Sequence, residues 1–146
     1  MFEFLEKMKT YCEIIIFTAA TKDYADVILD SLELVEPFFD YRLYRQHTSF
    51  HGISIIKDLS WIGRNLNKTI IIDNISDNFK LQYSNGLAIK TWCGDIKDEE
   101  LYALKVLLSS IFETGSSDIL PFIKTLKDSY KAYSTYTNIE VKDVIK

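Results

Sequence analysis

Two short, uninterrupted apolar runs, each stopping on a polar group, constrain this chain more than any other feature. Residues 13–19 (Glu-Ile-Ile-Ile-Phe-Thr-Ala) and 69–73 (Thr-Ile-Ile-Ile-Asp) are too short for helices and rich in β-branched side chains. That is how strands covered on both faces of a parallel sheet read. A third run, Leu87 to Trp92, has the same character. Parallel strands need crossovers, and the intervening segments supply them. Thr21 stands where a helix cap belongs, Asp23 suits the first turn, and Tyr24, Ile28 and Leu32 predict one apolar face with Ala25 and Leu29 beside it, until Pro37 ends the helix. Phe4, Leu5 and Met8 predict an opening helix. Leu101, Leu104, Leu108 and Ile111 predict a long one over about 98–112, and Asp118 can cap a last helix through Leu126.

Between these elements the pattern is weaker. Tyr41 to Arg45 alternates as a short strand, Gln46 to Gly52 reads as a loop, and after Lys57-Asp58-Leu59-Ser60 a short helix is expected through Trp61 and Leu66. The whole predicts an α/β fold with a doubly wound parallel sheet in three layers. Ligands of such sheets bind beyond the carboxyl ends of the strands. With 146 residues the chain has material for one core. One domain over residues 1–128 and a polar tail over 129–146 are expected.

Composition removes several function classes. A net charge of −4, from 17 basic and 21 acidic residues mixed along the chain, gives no broad footprint for direct nucleic-acid binding. No apolar run reaches the roughly 18 residues of a membrane span. Cys12 and Cys93 are too isolated for a disulfide framework or a cysteine zinc motif. His47 and His51 are four apart, but Gly52 argues against the helix that spacing needs, so both are expected to be structural or exposed. Trp61 and Trp92 are expected in core or edge packing.

The remaining polar signals fall at or near strand ends. The Thr18 hydroxyl and nearby N–H groups can cradle an anion, although a strand-end threonine also commonly caps its own turn. Lys57 offers a point charge to a phosphate oxygen, against the commoner alternative of a solvated surface lysine. Asp73 and Asn74 present a carboxylate and an amide oxygen, a pair suited to a hard cation such as Mg²⁺ or to closing a turn.

Ile16-Phe17-Thr18-Ala19-Ala20 with Tyr24-Ala25-Asp26, Tyr41-Arg42-Leu43-Tyr44-Arg45, Ile56-Lys57-Asp58-Leu59, Ile71-Ile72-Asp73-Asn74 and Trp92-Cys93-Gly94-Asp95 follow one another in a characteristic order. From about Phe2 to Leu126 the chain resembles the FCP/SCP-like (NLI-interacting-factor-like) phosphatases of the haloacid dehalogenase superfamily. The resemblance implies a Rossmannoid fold and a Mg²⁺-dependent protein serine/threonine phosphatase. Thr18 would bind the phosphoryl group, Lys57 would neutralise it, Asn74 and Asp73 would contribute to the metal site, and Arg45 would face the substrate. A phosphoprotein, such as the C-terminal tail of RNA polymerase II, would be the partner. No targeting signal is visible, and such a partner implies a nuclear or cytoplasmic protein.

One departure matters. The family pattern places two aspartates, one residue apart, at the end of a strand upstream of the segment matching Met1 to Met8; the first attacks phosphorus and the second is acid and base. No Asp-x-Asp occurs in these 146 residues. The resemblance therefore implies a domain without its nucleophile strand, N-terminally truncated, poorly stable and inactive as given. The alternative is a non-catalytic peptide- or protein-binding module, like the mitochondrial import receptor that shares the fold.

Overall fold

The computed structural model describes residues 1–34 and 36–135. The described residues form four helices, α1 (Phe2–Lys9), α2 (Lys22–Leu32), α3 (Glu100–Glu113) and α4 (Leu120–Thr135), and six short strands, of which five lie in sequence between α2 and α3. The strands are β1 (Ile15–Phe17), β2 (Tyr41–Leu43), β3 (Ser49–His51), β4 (Ser54–Ile56), β5 (Ile71–Asp73) and β6 (Gly86–Ala88). The expected α/β architecture with parallel pairing is present. β1 pairs parallel with β2, Ile15 opposite Tyr41, and β5 pairs parallel with β6, Ile71 opposite Gly86. Among the described residues no ladder joins β1 to β5. The parallel strands thus form two separate pairs. β1 is accordingly half-buried rather than covered on both faces, and a groove of about 430 Å³ opens over Ile15, Phe17, Tyr41 and Leu43.

The main core lies between α1, α3 and α4 and the β5–β6 pair. Met8, Leu104, Leu108 and Ile123 are almost wholly buried there, with Leu87 of β6 and partly buried Ile70 and Ile72 against them. Each such side chain contributes about 1.5–3 kcal/mol of burial. The apolar spacing of α3 is therefore a packing signal. Asp118 starts α4 as expected, its carboxylate accepting the Leu120 N–H at 3.0 Å. That helix continues to Thr135, past the expected start of the tail, and residues 136–146 lie outside those described.

Several expectations are corrected. Helix α2 buries Ala25 and Leu29, whereas Tyr24 and Ile28 are exposed. Its inner face is set by contact with Tyr44 and Ile16, so small and medium side chains fit there and the tyrosine does not. Thr21 stands at the helix start but makes no side-chain capping bond. The segment read as a loop from Gln46 contains a 3-10 turn, Arg45–His47, and then an antiparallel hairpin of β3 with β4. Its two-residue turn places Gly52 at φ 67°, the left-handed region in which glycine carries no Cβ penalty. Two 3-10 turns, Leu59–Trp61 and Leu66–Lys68, replace the expected short helix. Trp61 and Trp92 are exposed, at 85% and 69%; Trp92 lies beyond β6 in a loop, its indole N–H donating to the Asp95 carbonyl.

One glycine holds the floor of the site. A Cβ on Gly86 would stand 2.0 Å from the ring of Phe79, which is 1% exposed. Phe79 anchors the long 3-10 stretch Ser76–Asn85 that follows β5, fixing the loop beyond the strand end.

Candidate functional site

The carboxyl end of β5 carries the most densely bonded polar group of the site. Asp73 is buried because β5 pairs with β6 through to its last residue, the Asp73 carbonyl accepting the Ile89 N–H at 3.1 Å. Its side chain is only 3% exposed and meets the Lys57 ammonium, itself 12% exposed, at 2.5 Å. Oδ1 also accepts the Ile75 N–H at 2.8 Å, and the Asn78 amide reaches Oδ1 and Oδ2 at 3.2 and 3.1 Å. A buried carboxylate needs this many donors, because an unsatisfied charge there would cost several kcal/mol.

Lys57 follows β4 directly, and its N–H donates to the Asn78 carbonyl at 2.6 Å. The strand thus delivers the lysine to the end of β5, and the alternative of a solvated surface lysine is set aside. Next to it, Asp58 closes a turn by accepting from the Ser60 N–H and hydroxyl and the Gln82 amide. Burial pushes its carboxyl up, but the Ser60 and Gln82 bonds and the nearby His51 outweigh that and hold it below the ordinary value. Asn74 is exposed, and its amide donates to the Thr91 hydroxyl at 3.0 Å.

Thr18 and Arg45 form a second group at the end of β1. The Thr18 N–H donates to the Leu43 carbonyl at 2.9 Å, extending the β1–β2 ladder, and its hydroxyl accepts the Ala20 N–H at 3.0 Å. That is the turn-capping role a strand-end threonine commonly takes; the hydroxyl proton is still available to a ligand. Arg45 donates from Nε to the Ala19 carbonyl at 2.7 Å and from its N–H to the Ala20 carbonyl. The structure therefore brings Lys57, Asp73 and Asn74 together, and separately Thr18 and Arg45. Among the described residues no hydrogen bond or ion pair links the two groups. His47 is structural, as expected, its Nδ1 accepting the Tyr44 N–H at 2.9 Å.

Sequence reasoning missed Asn78 and Thr91, the direct partners of Asp73 and Asn74. Asn78 had a faint signal, a polar residue one turn beyond a strand-end carboxylate, but its role depends on the 3-10 stretch that only Phe79 and Gly86 define. Mg²⁺ favours near-octahedral oxygen sites built on one or two carboxylates and several waters. Here both oxygens of Asp73 are already engaged. Among the described residues no three His, Cys, Asp or Glu side chains converge into a metal-binding group. The residues present do not fit Mg²⁺ by themselves; Asn74 offers one oxygen. No helix among the described residues is long and apolar enough to cross a membrane.

Residues 1–120 match the family model for NLI interacting factor-like phosphatase. The chain is 37% identical over 131 residues to CTD small phosphatase-like protein 2 of Dictyostelium discoideum, covering 90% of this chain and 22% of that protein. It is 33% identical over 125 residues to the human carboxy-terminal domain RNA polymerase II polypeptide A small phosphatase 2, covering 86% and 45%. It is also 32% identical over 126 residues to the mitochondrial import inner membrane translocase subunit TIM50 of Kluyveromyces lactis, covering 86% and 26%. The chain spans less than half the length of each of these relatives.

Proposed function

The chain belongs to the family of NLI interacting factor-like phosphatases, and on that premise we propose that it carries the phosphate-accepting half of a protein serine/threonine phosphatase site without the nucleophile. The observation that carries this reading is the Lys57 ammonium, held at 12% exposure against Asp73 at the end of β5. A lysine kept nearly dry at a strand end presents fixed positive charge where phosphoryl transfer gathers negative charge on the equatorial oxygens. Asp73 positions that charge. Thr18 contributes a hydroxyl donor at the end of β1, and Arg45, exposed beside the Ala19–Ala20 turn, offers a guanidinium to an anionic substrate. Asn74 and Asp73 are the residues of this chain that match the family's metal motif; with both Asp73 oxygens already bonded to Lys57, Ile75 and Asn78, the positive charge facing a phosphate in this reading comes from Lys57. No Asp-x-Asp occurs in the sequence, so the chain as given binds a phosphoester without hydrolysing it.

The substrate class that fits is a phosphoprotein, such as the phosphorylated C-terminal tail of RNA polymerase II, which would place the protein in the nucleus or cytoplasm. A second reading, a binding module without catalysis, is favoured by the missing aspartate pair and by the similarity to TIM50. Calorimetry with a phosphoserine peptide and its unphosphorylated form separates them. Under the phosphatase reading only the phosphopeptide binds, and Lys57→Ala weakens it by about tenfold or more. Equal binding of both peptides would favour the module and remove Lys57 from the site.

A further inference from the structure

The proposed site depends on where the Lys57 ammonium is held, and one residue outside the matched motifs touches both things that hold it. Asn78 lies half-buried in the 3-10 stretch after β5. Its backbone carbonyl accepts the Lys57 N–H at 2.6 Å. Its side-chain amide spans the two oxygens of Asp73, at 3.2 and 3.1 Å, and Oδ2 of that carboxylate meets the ammonium at 2.5 Å. One residue therefore grips Lys57 at its main chain and, through Asp73, at its charged end.

We propose that Asn78 is a positioning residue of the phosphate-accepting group, fixing Lys57 from both ends so that its ammonium stays aimed along the end of β5. The inference rests on reading Lys57 as the phosphate-neutralising cation. The terminal torsion of an aspartate is broad and roughly two-fold, so the Ile75 N–H on Oδ1 and the ammonium on Oδ2 leave the carboxylate plane free to rock. An amide donating to both oxygens removes that freedom. The backbone at 78 is in turn immobilised by Phe79, whose ring is 1% exposed under Gly86. The chain of support runs from a packed aromatic ring to an amide, a carboxylate and an ammonium, with no metal in it.

The test uses the full 146-residue chain and two readouts. The lysine ammonium region of a ¹H–¹⁵N spectrum at low temperature, with Lys57 assigned through Lys57→Arg, reports how firmly the ammonium is held. Calorimetric titration with orthophosphate reports anion affinity. In the parent the Lys57 ammonium signal is expected to be sharp. In Asn78→Leu, which keeps the branched shape and removes the donors, that signal should broaden or vanish and orthophosphate should bind about fivefold or more weakly, with the backbone amide spectrum of α3 and α4 unchanged. Asn78→Ser, which keeps one donor, should fall between, and it replaces the leucine variant if that one does not fold. A Lys57 signal as sharp in Asn78→Leu as in the parent would overturn the proposal, whatever the affinity does. If the parent itself binds no orthophosphate, the reading of Lys57 fails, while the ammonium signal still decides the role of Asn78.

Discussion

Replacing Asp73 by alanine removes the acceptor of an ammonium that is 12% exposed, and also strands the Ile75 N–H and the Asn78 amide. Removing one partner of a buried ion pair costs about 3–5 kcal/mol, because the surviving charge stays buried without compensation. The opposite truncation is cheaper. In Lys57→Met the stem still packs, and the Asp73 carboxylate keeps the Ile75 N–H and the Asn78 amide, so the loss is that of one charged hydrogen bond, about 1.5–3 kcal/mol. Against a total stability of about 5–15 kcal/mol, both changes are measurable by urea titration followed by far-ultraviolet circular dichroism. The expected result is a larger loss for Asp73→Ala than for Lys57→Met, and a double variant less damaged than the sum by about 0.5–3 kcal/mol. A cost below about 1 kcal/mol for Asp73→Ala, or equal costs for the two single variants, would refute the view that Asp73 is an anchored carboxylate dedicated to Lys57.

Three further outcomes are expected. Gly86→Ala puts a methyl 2.0 Å from the Phe79 ring and should cost about 2–3 kcal/mol by urea unfolding, less when combined with Phe79→Leu, which makes room. Asp26 is held down to about 2 from its ordinary 3.8 by Lys22, Tyr44 and Arg42; its contribution to stability is therefore present above the ordinary value and lost as pH falls towards 2. The stability difference between the parent and Asp26→Asn should be constant above about pH 5 and shrink below pH 4 in unfolding curves taken at each pH; a difference that widens there would reverse the sign. Because the described residues do not fit Mg²⁺, adding about 10 mM of the ion should leave the thermal midpoint unchanged in calorimetry, and a clear rise would show a metal site.

How much was legible in the sequence follows from where each signal originates. Strands β1 and β5 and the inner face of α3 are written in local apolar patterns, so Ile15–Phe17, Ile71–Asp73 and the buried Leu104, Leu108 and Ile111 emerged where expected. The face of α2 did not. Tyr24 and Ile28 share helical spacing with Leu32, but which stripe is buried depends on the distant partners Tyr44 and Ile16. The β3–β4 hairpin was hidden because Ser49, Phe50 and His51 show no clear alternation, and its strongest cue is Gly52 in the turn itself. At the site, Lys57 was legible as a charge for a phosphate oxygen, and Asp73 with Asn74 as strand-end oxygens for a hard cation, but the Lys57–Asp73 pair was not, because the two residues meet only through the fold. Asn78 escaped because its place is set by Phe79 packing under Gly86, a contact no local pattern encodes.

The most direct test of the central claim is to measure, on one preparation of the 146-residue chain, both the affinity for a phosphoserine peptide and the release of orthophosphate from it. The expected result is saturable binding that depends on the phosphate and on Lys57, with release no faster than in the blank. Release above the blank that survives Lys57→Ala, or no phosphate-dependent binding at all, would contradict it.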